Sequence, residues 1–463
     1  MDSKLEQAIE AYSCEYADFL SRAKTEREFH DEACKLAEAK GFRNMDAVAS
    51  RELPLPAGSK LYRSCGGKTI VLFIVGEEPL DRGMNVIGGH IDSPRIDLKP
   101  RPVYEDGSLV LLDTHYYGGI KKYQWVTIPL ALHGVVMKAD GTKVDVVIGE
   151  DPSDPVFCIS DLLPHLGAQQ MDKPMREAIT GEGLNVIAGS RPHPKEDDEA
   201  IATPIKVKFL ELLHERYGIT EADLISAELE LVPAGPVREL GLDRSMLLGY
   251  GHDDRACSYA AFHAILAQQA TPRYTACCIL CDKEEIGSTG STGMDSMIFE
   301  NTVAQLLELT AKKPSEFQLR RILRNSRMLS ADVNSLHDPN FPDVSAPNGN
   351  MAYINHGVVI TKYTGSRGKS GSNDASAEYM GMIRRIFDQE QVVWQTGELG
   401  KVDQGGGGTI AYMLARYEMD VVDCGVGVLN MHAPHEIAGK LDLFMMARGF
   451  DAFYRLGEPV TLK

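Results

Sequence analysis

The stretch RYTACCILCDKEEIGSTG, residues 273–290, runs from a short apolar segment into two adjacent glutamates. The apolar segment predicts a buried strand. Along a regular strand Glu284 and Glu285 would face opposite sides, but Gly287 lets the backbone turn, so both can reach one cleft. Burying two like charges is costly unless cations compensate them, which makes this strand end a candidate metal site. An exposed pair at a strand end is the alternative.

The sequence on either side alternates between strands and helices. Further strands are predicted at 68–76, 84–92, 327–332 and 419–430, with helical segments between several of them. This alternation predicts an α/β domain of three layers, in which helices pack against a sheet.

Residues 94–240 are different, because strand signals there are separated by turns rather than by helices. The simplest organisation is therefore one α/β domain interrupted by a β-rich insert. The predicted boundaries are 1–98 and 242–463 for the two parts of the α/β domain, and 99–241 for the insert.

Composition narrows the class of protein. The chain of 463 residues has a formal net charge of −18, which argues against a nucleic-acid partner because phosphate binding needs a basic surface. Its nine cysteines, an odd number, fit a reducing compartment better than a disulfide framework. Residues 1–20 do not resemble a signal peptide, and no apolar run approaches the roughly 18 residues of a membrane span. We therefore expect a cytoplasmic protein without membrane association.

Other strand ends also carry side chains that bind metals. In GGHIDSP (88–94), His90 and Asp92 are two residues apart and can point to the same side. A carboxylate that fixes the second ring nitrogen of a histidine is common at metal sites. A surface turn with a chance histidine is the alternative.

The segment GYGHDDRACSYAA (249–261) places Asp253 and Asp254 before an apolar helix. Taken alone, the simpler interpretation is that they cap and stabilise the helix N-terminus. An aspartate held there could instead bridge two metal ions.

Two more strand ends complete the set. Asp332 ends a short strand in LSADVN, and His432 follows another strand in NMHAPHE, with His435 and Glu436 close by. Nitrogen and oxygen donors without thiolate suit zinc, cobalt or manganese in a hydrolytic role. Two metals that share a carboxylate can hold a water and a carbonyl oxygen together.

Four of these segments, in this order, resemble motifs of the aspartyl aminopeptidase family of dinuclear zinc metalloaminopeptidases. GGHIDSPR resembles the family's H-x-D-S-P, DKEEIGS its D-x-E-E-[IV]-G-S, LSAD its S-A-D, and NMHAPHE its closing M-H-S-x-R-E. The resemblance covers nearly the whole chain. It implies an α/β catalytic domain of the zinc-exopeptidase type with an inserted β-rich dimerisation domain, assembled as a homo-oligomer, a tetrahedral dodecamer.

The same resemblance implies a set of metal ligands. One metal would be held by His90, Asp253 and Asp332. The other would be held by Asp253, Glu285 and His432, so that Asp253 bridges the two ions.

It also implies roles for residues around the metals. Glu284 would be the general base and acid, and Asp92 would orient the ligand His90. His165, in LLPHLGA, matches a histidine that a neighbouring subunit supplies. Lys362, in ITKYTG, falls where the family has a lysine near the pocket for an acidic side chain, although an exposed strand lysine is the alternative.

Three segments depart from the family pattern. His435 stands in place of an arginine, and Asp332 is followed by VNSLHD, which leaves His337 and Asp338 without matching positions. The segment GSRGKSGSND is longer than its counterpart.

The leading hypothesis is a metal-dependent aminopeptidase that removes N-terminal residues, possibly acidic ones (Asp or Glu), from peptides through a water activated by two divalent metals. Zinc is the expected metal, with cobalt and manganese as alternatives. Two rival functions are another dinuclear metal amidohydrolase, such as a deacylase or carboxypeptidase, and a non-catalytic metal-binding assembly protein.

Overall fold

The computed structural model describes residues 3–194, 202–365 and 367–457. The chain forms two compact units. The α/β unit comprises Met1–Ser93, Val237–Met431 and Glu436–Lys463, and the inserted unit comprises Pro94–Pro236 with His432–His435.

The helices of the described residues are α1 (Ser3–Arg22), α2 (Glu26–Ala39), α3 (Ala168–Met171), α4 (Met175–Ala178), α5 (Pro204–Tyr217), α6 (His252–Ala267), α7 (Ile298–Thr310), α8 (Glu316–Asn325), α9 (Ala377–Gln389), α10 (Ala411–Ala415) and α11 (Lys440–Tyr454). The strands are β1 (Arg43–Asn44), β2 (Lys60–Cys65), β3 (Thr69–Ile74), β4 (Met84–His90), β5 (Arg95–Asp106), β6 (Leu109–Tyr117), β7 (Leu130–Met137), β8 (Lys143–Ile148), β9 (Val186–Gly189), β10 (Ala227–Pro233), β11 (Arg238–Leu240), β12 (Met246–Gly249), β13 (Thr275–Cys281), β14 (Arg327–Ser330), β15 (Asn334–Ser335), β16 (Val358–Thr361), β17 (Trp394–Thr396), β18 (Asp420–Gly425), β19 (Gly427–Leu429) and β20 (Glu436–Gly439).

The α/β unit is built on a nine-stranded sheet in the order β1-β2-β3-β13-β4-β14-β18-β16-β17. Four neighbouring strands at its centre, β13, β4, β14 and β18, run parallel. Their carboxyl ends therefore meet at one edge of the sheet, where ligands bind in proteins of this architecture.

Both faces of this sheet are covered. On β3, Ile70 and Leu72 belong to a core cluster with residues of α1, α2, α6, α9 and α11, whereas Val71 and Phe73 belong to a second cluster with residues of α7, α8 and α10. Because successive side chains point to opposite faces, a strand buried on both sides is apolar throughout. This explains the uninterrupted apolar runs in the sequence and makes the unit three-layered.

Two smaller sheets complete the fold. A five-stranded sheet in the α/β unit has the order β11-β12-β20-β19-β15. The inserted unit contains a six-stranded sheet, β8-β7-β10-β5-β6-β9, in which the strand pairs are antiparallel. Among the described helices, none has the length and apolar character to cross a membrane.

Candidate metal centre

His90 is the last residue of β4 and is buried. Its Nδ1 lies 3.0 Å from the backbone oxygen of Asp92 and 3.3 Å from the Asp92 Oδ1. Its Nε2 faces two other carboxylates, Asp253 Oδ1 at 3.4 Å and Glu284 Oε2 at 3.9 Å. Asp92 thus orients the imidazole so that Nε2 points toward the acidic groups.

The two adjacent glutamates begin a short 3-10 turn, Glu284–Ile286, which starts three residues after the end of β13. The backbone N–H of Glu284 donates to Asp92 Oδ1 at 3.1 Å, and that of Glu285 donates to Asp92 Oδ2 at 3.2 Å. The buried Asp92 carboxylate therefore holds both the His90 ring and the Glu284–Ile286 turn. Its contact with the turn was not predicted from the sequence. No local signal could have shown it, because donor and acceptor are 192 or 193 residues apart in the chain.

The paired aspartates of α6 have separate partners. Asp253 faces His90 Nε2, while Asp254 Oδ2 accepts from the His90 backbone N–H at 3.4 Å. Gly89 makes this approach possible, because a Cβ there would lie 2.6 Å from Asp254 Oδ2. The N-cap residue of α6 is Gly251, and Asp253 and Asp254 follow it with backbone angles that are not helical.

All five predicted ligands meet at short range. Ligand atoms of His90, Asp253 and Asp332 lie within 4.8 Å of one another, and so do those of Asp253, Glu285 and His432. Asp253 belongs to both groups. His90, Glu285 and Asp332 come together because the parallel strands β4, β13 and β14 end at the same sheet edge.

His432 is held through one ring nitrogen. Its Nδ1 lies 2.9 Å from the carbonyl oxygen of Gly119, in the same unit. A carbonyl oxygen accepts only, so Nδ1 carries the proton and Nε2 is the nitrogen able to bind a metal.

The electrostatics of this edge favour cations. Burial raises the pKa of Asp332 well above its ordinary value, and the nearby carboxylates of Asp254, Glu284 and Asp253 raise it further, against the opposing effect of His90. Burial also raises the pKa of Asp254. Carboxylates crowded in this way become stable as anions when divalent cations lie among them. Oxygen and imidazole donors in these numbers fit zinc.

The remaining predicted residues lie elsewhere. His165 is in an exposed turn of the inserted unit. Lys362 follows β16 and pairs with Asp374. The ring of His337 packs 5.4 Å from that of Tyr353. His435 and Asp338 take part in neither ligand group.

This geometry defines a class: metal-dependent hydrolases built on an α/β sheet. The family described as aminopeptidase I zinc metalloprotease (M18) matches residues 19–454. The chain belongs to the M18 family, and it is a metal-dependent aminopeptidase, a hydrolase that acts on peptide bonds.

Several relatives support this placement. A probable M18 family aminopeptidase 1 from Clostridium acetobutylicum is 50% identical over 98% of this chain and 96% of its own. A relative of the same name from Thermotoga maritima is 44% identical over 95% and 94%. The crystal structure of an M18 aminopeptidase from Thermotoga maritima matches with a TM-score of 0.91, at 43% identity over 97% and 96% of the two chains.

A second crystal structure, aminopeptidase I from Clostridium acetobutylicum, has a TM-score of 0.90 at 48% identity, covering 98% and 97% of the chains. The predicted family, the zinc-exopeptidase-like α/β fold and the zinc requirement are confirmed.

Proposed function

We propose that the chain removes N-terminal residues from peptides at a dinuclear zinc centre, with His90, Asp253 and Asp332 on one ion and Asp253, Glu285 and His432 on the other. The observation that carries this proposal is Asp253, whose carboxylate belongs to both groups of ligand atoms within 4.8 Å. A shared carboxylate is the feature that distinguishes a paired centre from two separate sites.

Zinc supplies Lewis-acid polarisation of the scissile carbonyl and lowers the pKa of a water. Glu284 belongs to neither ligand group, yet its Oε2 lies 3.9 Å from His90 Nε2 and its side chain is 17% exposed. Its backbone is held by Asp92. Glu284 therefore takes the proton of the attacking water and delivers it to the leaving amine. The surrounding carboxylates favour a substrate that presents a free, positively charged amine.

The test uses matched peptides with a free or an acetylated N-terminus. We expect hydrolysis of the free peptide only, and loss of that hydrolysis in Glu284→Gln. The exposed Glu308→Gln on α7 is the control and should retain wild-type rates. Cleavage of the acetylated peptide at a similar rate would instead favour the deacylase or carboxypeptidase alternative.

A preference for acidic N-terminal residues is the second part of the proposal. The Lys362 side chain is 44% exposed and carries the positive charge that would pair with such a residue. Asp374 already pairs with it, so an acidic substrate must compete with this carboxylate. We expect Asp374→Asn to raise the ratio of kcat/KM for Asp-initiated over Leu-initiated peptides. Equal rates on the two peptides in both proteins would remove Lys362 from this role.

The third part is a homo-oligomer. A yeast aminopeptidase with this fold, at 21% identity and a TM-score of 0.76, was solved as a dodecamer. In the inserted unit, Leu162, Leu163, Leu166 and Met171 are exposed by more than half. Apolar side chains this close together favour burial against a second copy. His165 lies among them and is proposed to reach the neighbour's active site.

Sedimentation of wild type and Leu166→Asp tests this assembly. We expect a large species for wild type and a smaller, less active one for the variant. A wild-type monomer with full activity would contradict both the assembly and the role of His165.

The nine cysteines are free thiols, which supports a reducing, cytoplasmic location.

A further inference from the structure

Asp253 occupies an unusual place in its helix. It lies one residue after the start of α6, but its φ of −84° and ψ of 110° are not helical. The repeating hydrogen bonds of a helix therefore do not fix the peptide groups on either side of it. Since this carboxylate must meet ligands from two directions, something else has to hold its backbone.

Two side chains from other segments supply the missing hydrogen bonds. Glu436, on β20, accepts from the backbone N–H of Asp253 with its Oε2 at 2.9 Å. Ser93 donates from its hydroxyl to the backbone oxygen of Asp253 at 2.7 Å. Glu436 is 1% exposed and Ser93 is 3% exposed. The Asp253 residue is thus held from both sides by buried groups of the α/β unit.

We infer that Glu436 and Ser93 are positioning residues, which set the Asp253 carboxylate at the distance and angle that both zinc ions require. The inference rests on the proposed function, because it takes Asp253 as the shared ligand. It also assigns a role to Glu436, which closes the NMHAPHE motif and belongs to neither ligand group.

A carboxylate suits this task better than a neutral acceptor. A hydrogen bond from N–H to a charged oxygen is about twice as strong as one to a neutral oxygen. Burial prevents water from replacing it. Ser93 is expected to contribute less, since its bond to the Asp253 carbonyl joins two neutral groups.

The experiment measures zinc affinity in the full chain by competition with a chromophoric chelator, and zinc stoichiometry by mass spectrometry. We expect Glu436→Ala to weaken the affinity about 10- to 100-fold, the range for residues that orient metal ligands. Glu436→Gln keeps an acceptor oxygen and should lose less. Ser93→Ala should show a smaller loss in the same direction, and it keeps the test valid if Glu436→Ala does not fold.

Asp442→Ala is the matched control. Asp442 is also a buried carboxylate of the α/β unit, and it accepts backbone N–H groups from Asn355 at 2.7 Å and Gly357 at 2.6 Å, but it touches no ligand group. The Asp442→Ala substitution should lower the melting temperature and leave the zinc affinity unchanged.

Wild-type zinc affinity in Glu436→Ala and Ser93→Ala would overturn the inference. So would an equal loss of affinity in Asp442→Ala, because the effect would then be general destabilisation. If the wild-type chain itself bound no zinc, the proposed function would fail rather than the positioning role.

Discussion

Asp332 and Asp442 are both carboxylates in the interior of the α/β unit, but their surroundings differ. Asp442 lies at the start of α11 and accepts hydrogen bonds from two backbone N–H groups of another segment. Burial raises its pKa to about 7, against the opposing effect of those N–H groups. Asp332 faces Asp254, Glu284 and Asp253, and these like charges add to burial in raising its pKa.

The difference separates a structural carboxylate from a proposed metal ligand. At Asp442, backbone N–H groups of the fold itself partly offset the cost of burying the anion. Neighbouring carboxylates do the opposite, and the edge that contains Asp332 gains stability when cations enter it.

Removal of zinc by chelation should give the largest difference between the surroundings of Asp332 and those of Asp442. We expect peptide hydrolysis to fall to background and to return when zinc is added back. Zinc held at about 1,000 times its dissociation constant would stabilise the folded chain by about 4 kcal/mol, and removing it should lower the melting temperature accordingly. On chelation, Asp442→Ala should lose the same amount of stability as wild type, since the site of Asp442 binds no ion. Full activity after exhaustive chelation would contradict the proposal that the carboxylates around Asp332 hold the metal ions needed for hydrolysis.

Glu284→Gln removes the proposed general base but keeps the proposed metal ligands. Since general base catalysis contributes about 10²- to 10⁴-fold, we expect kcat to fall within that range. Zinc content should be unchanged, as measured by mass spectrometry on the same sample. A loss of zinc in parallel with activity would mean that Glu284 is a ligand instead.

In the zinc-free chain, substitutions in the two environments should have opposite signs. Asp442→Ala leaves two buried N–H groups without their acceptor and should cost about 1–3 kcal/mol of unfolding free energy. Asp332→Asn removes one of several like charges and should stabilise by on the order of 1 kcal/mol. Urea unfolding after chelation gives both values. Destabilisation by both variants to the same extent would show that repulsion among the carboxylates around Asp332 does not affect stability.

A further prediction concerns the pH dependence of stability. The pKa of Asp442 is raised from 3.8 to about 7 in the folded chain. A raised carboxyl pKa contributes stability that is fully present below the unfolded value and is lost as pH rises through the folded value. The stability difference between wild type and Asp442→Ala in zinc-free protein should therefore shrink between pH 4 and pH 7. A difference that grows over this interval would mean that the N–H groups outweigh burial.

Residue types and their places along the chain were enough to predict candidate metal-binding side chains at several strand ends. Periodicity located the strands that end at His90, at the two glutamates and at Asp332, because a strand buried on both faces has to be apolar throughout. The resemblance then distinguished Glu284 from Glu285 and Asp253 from Asp254, which periodicity alone left open.

Relations between distant segments could not be predicted in this way. Asp92 holds the Glu284–Glu285 turn, and Ser93 and Glu436 hold Asp253, through hydrogen bonds that join residues 160 or more positions apart. Chain order therefore specifies which donors are present and at which strand ends. Their distances and angles depend on how the strands align and on which backbone groups lack a local partner, and those properties exist only in the folded chain.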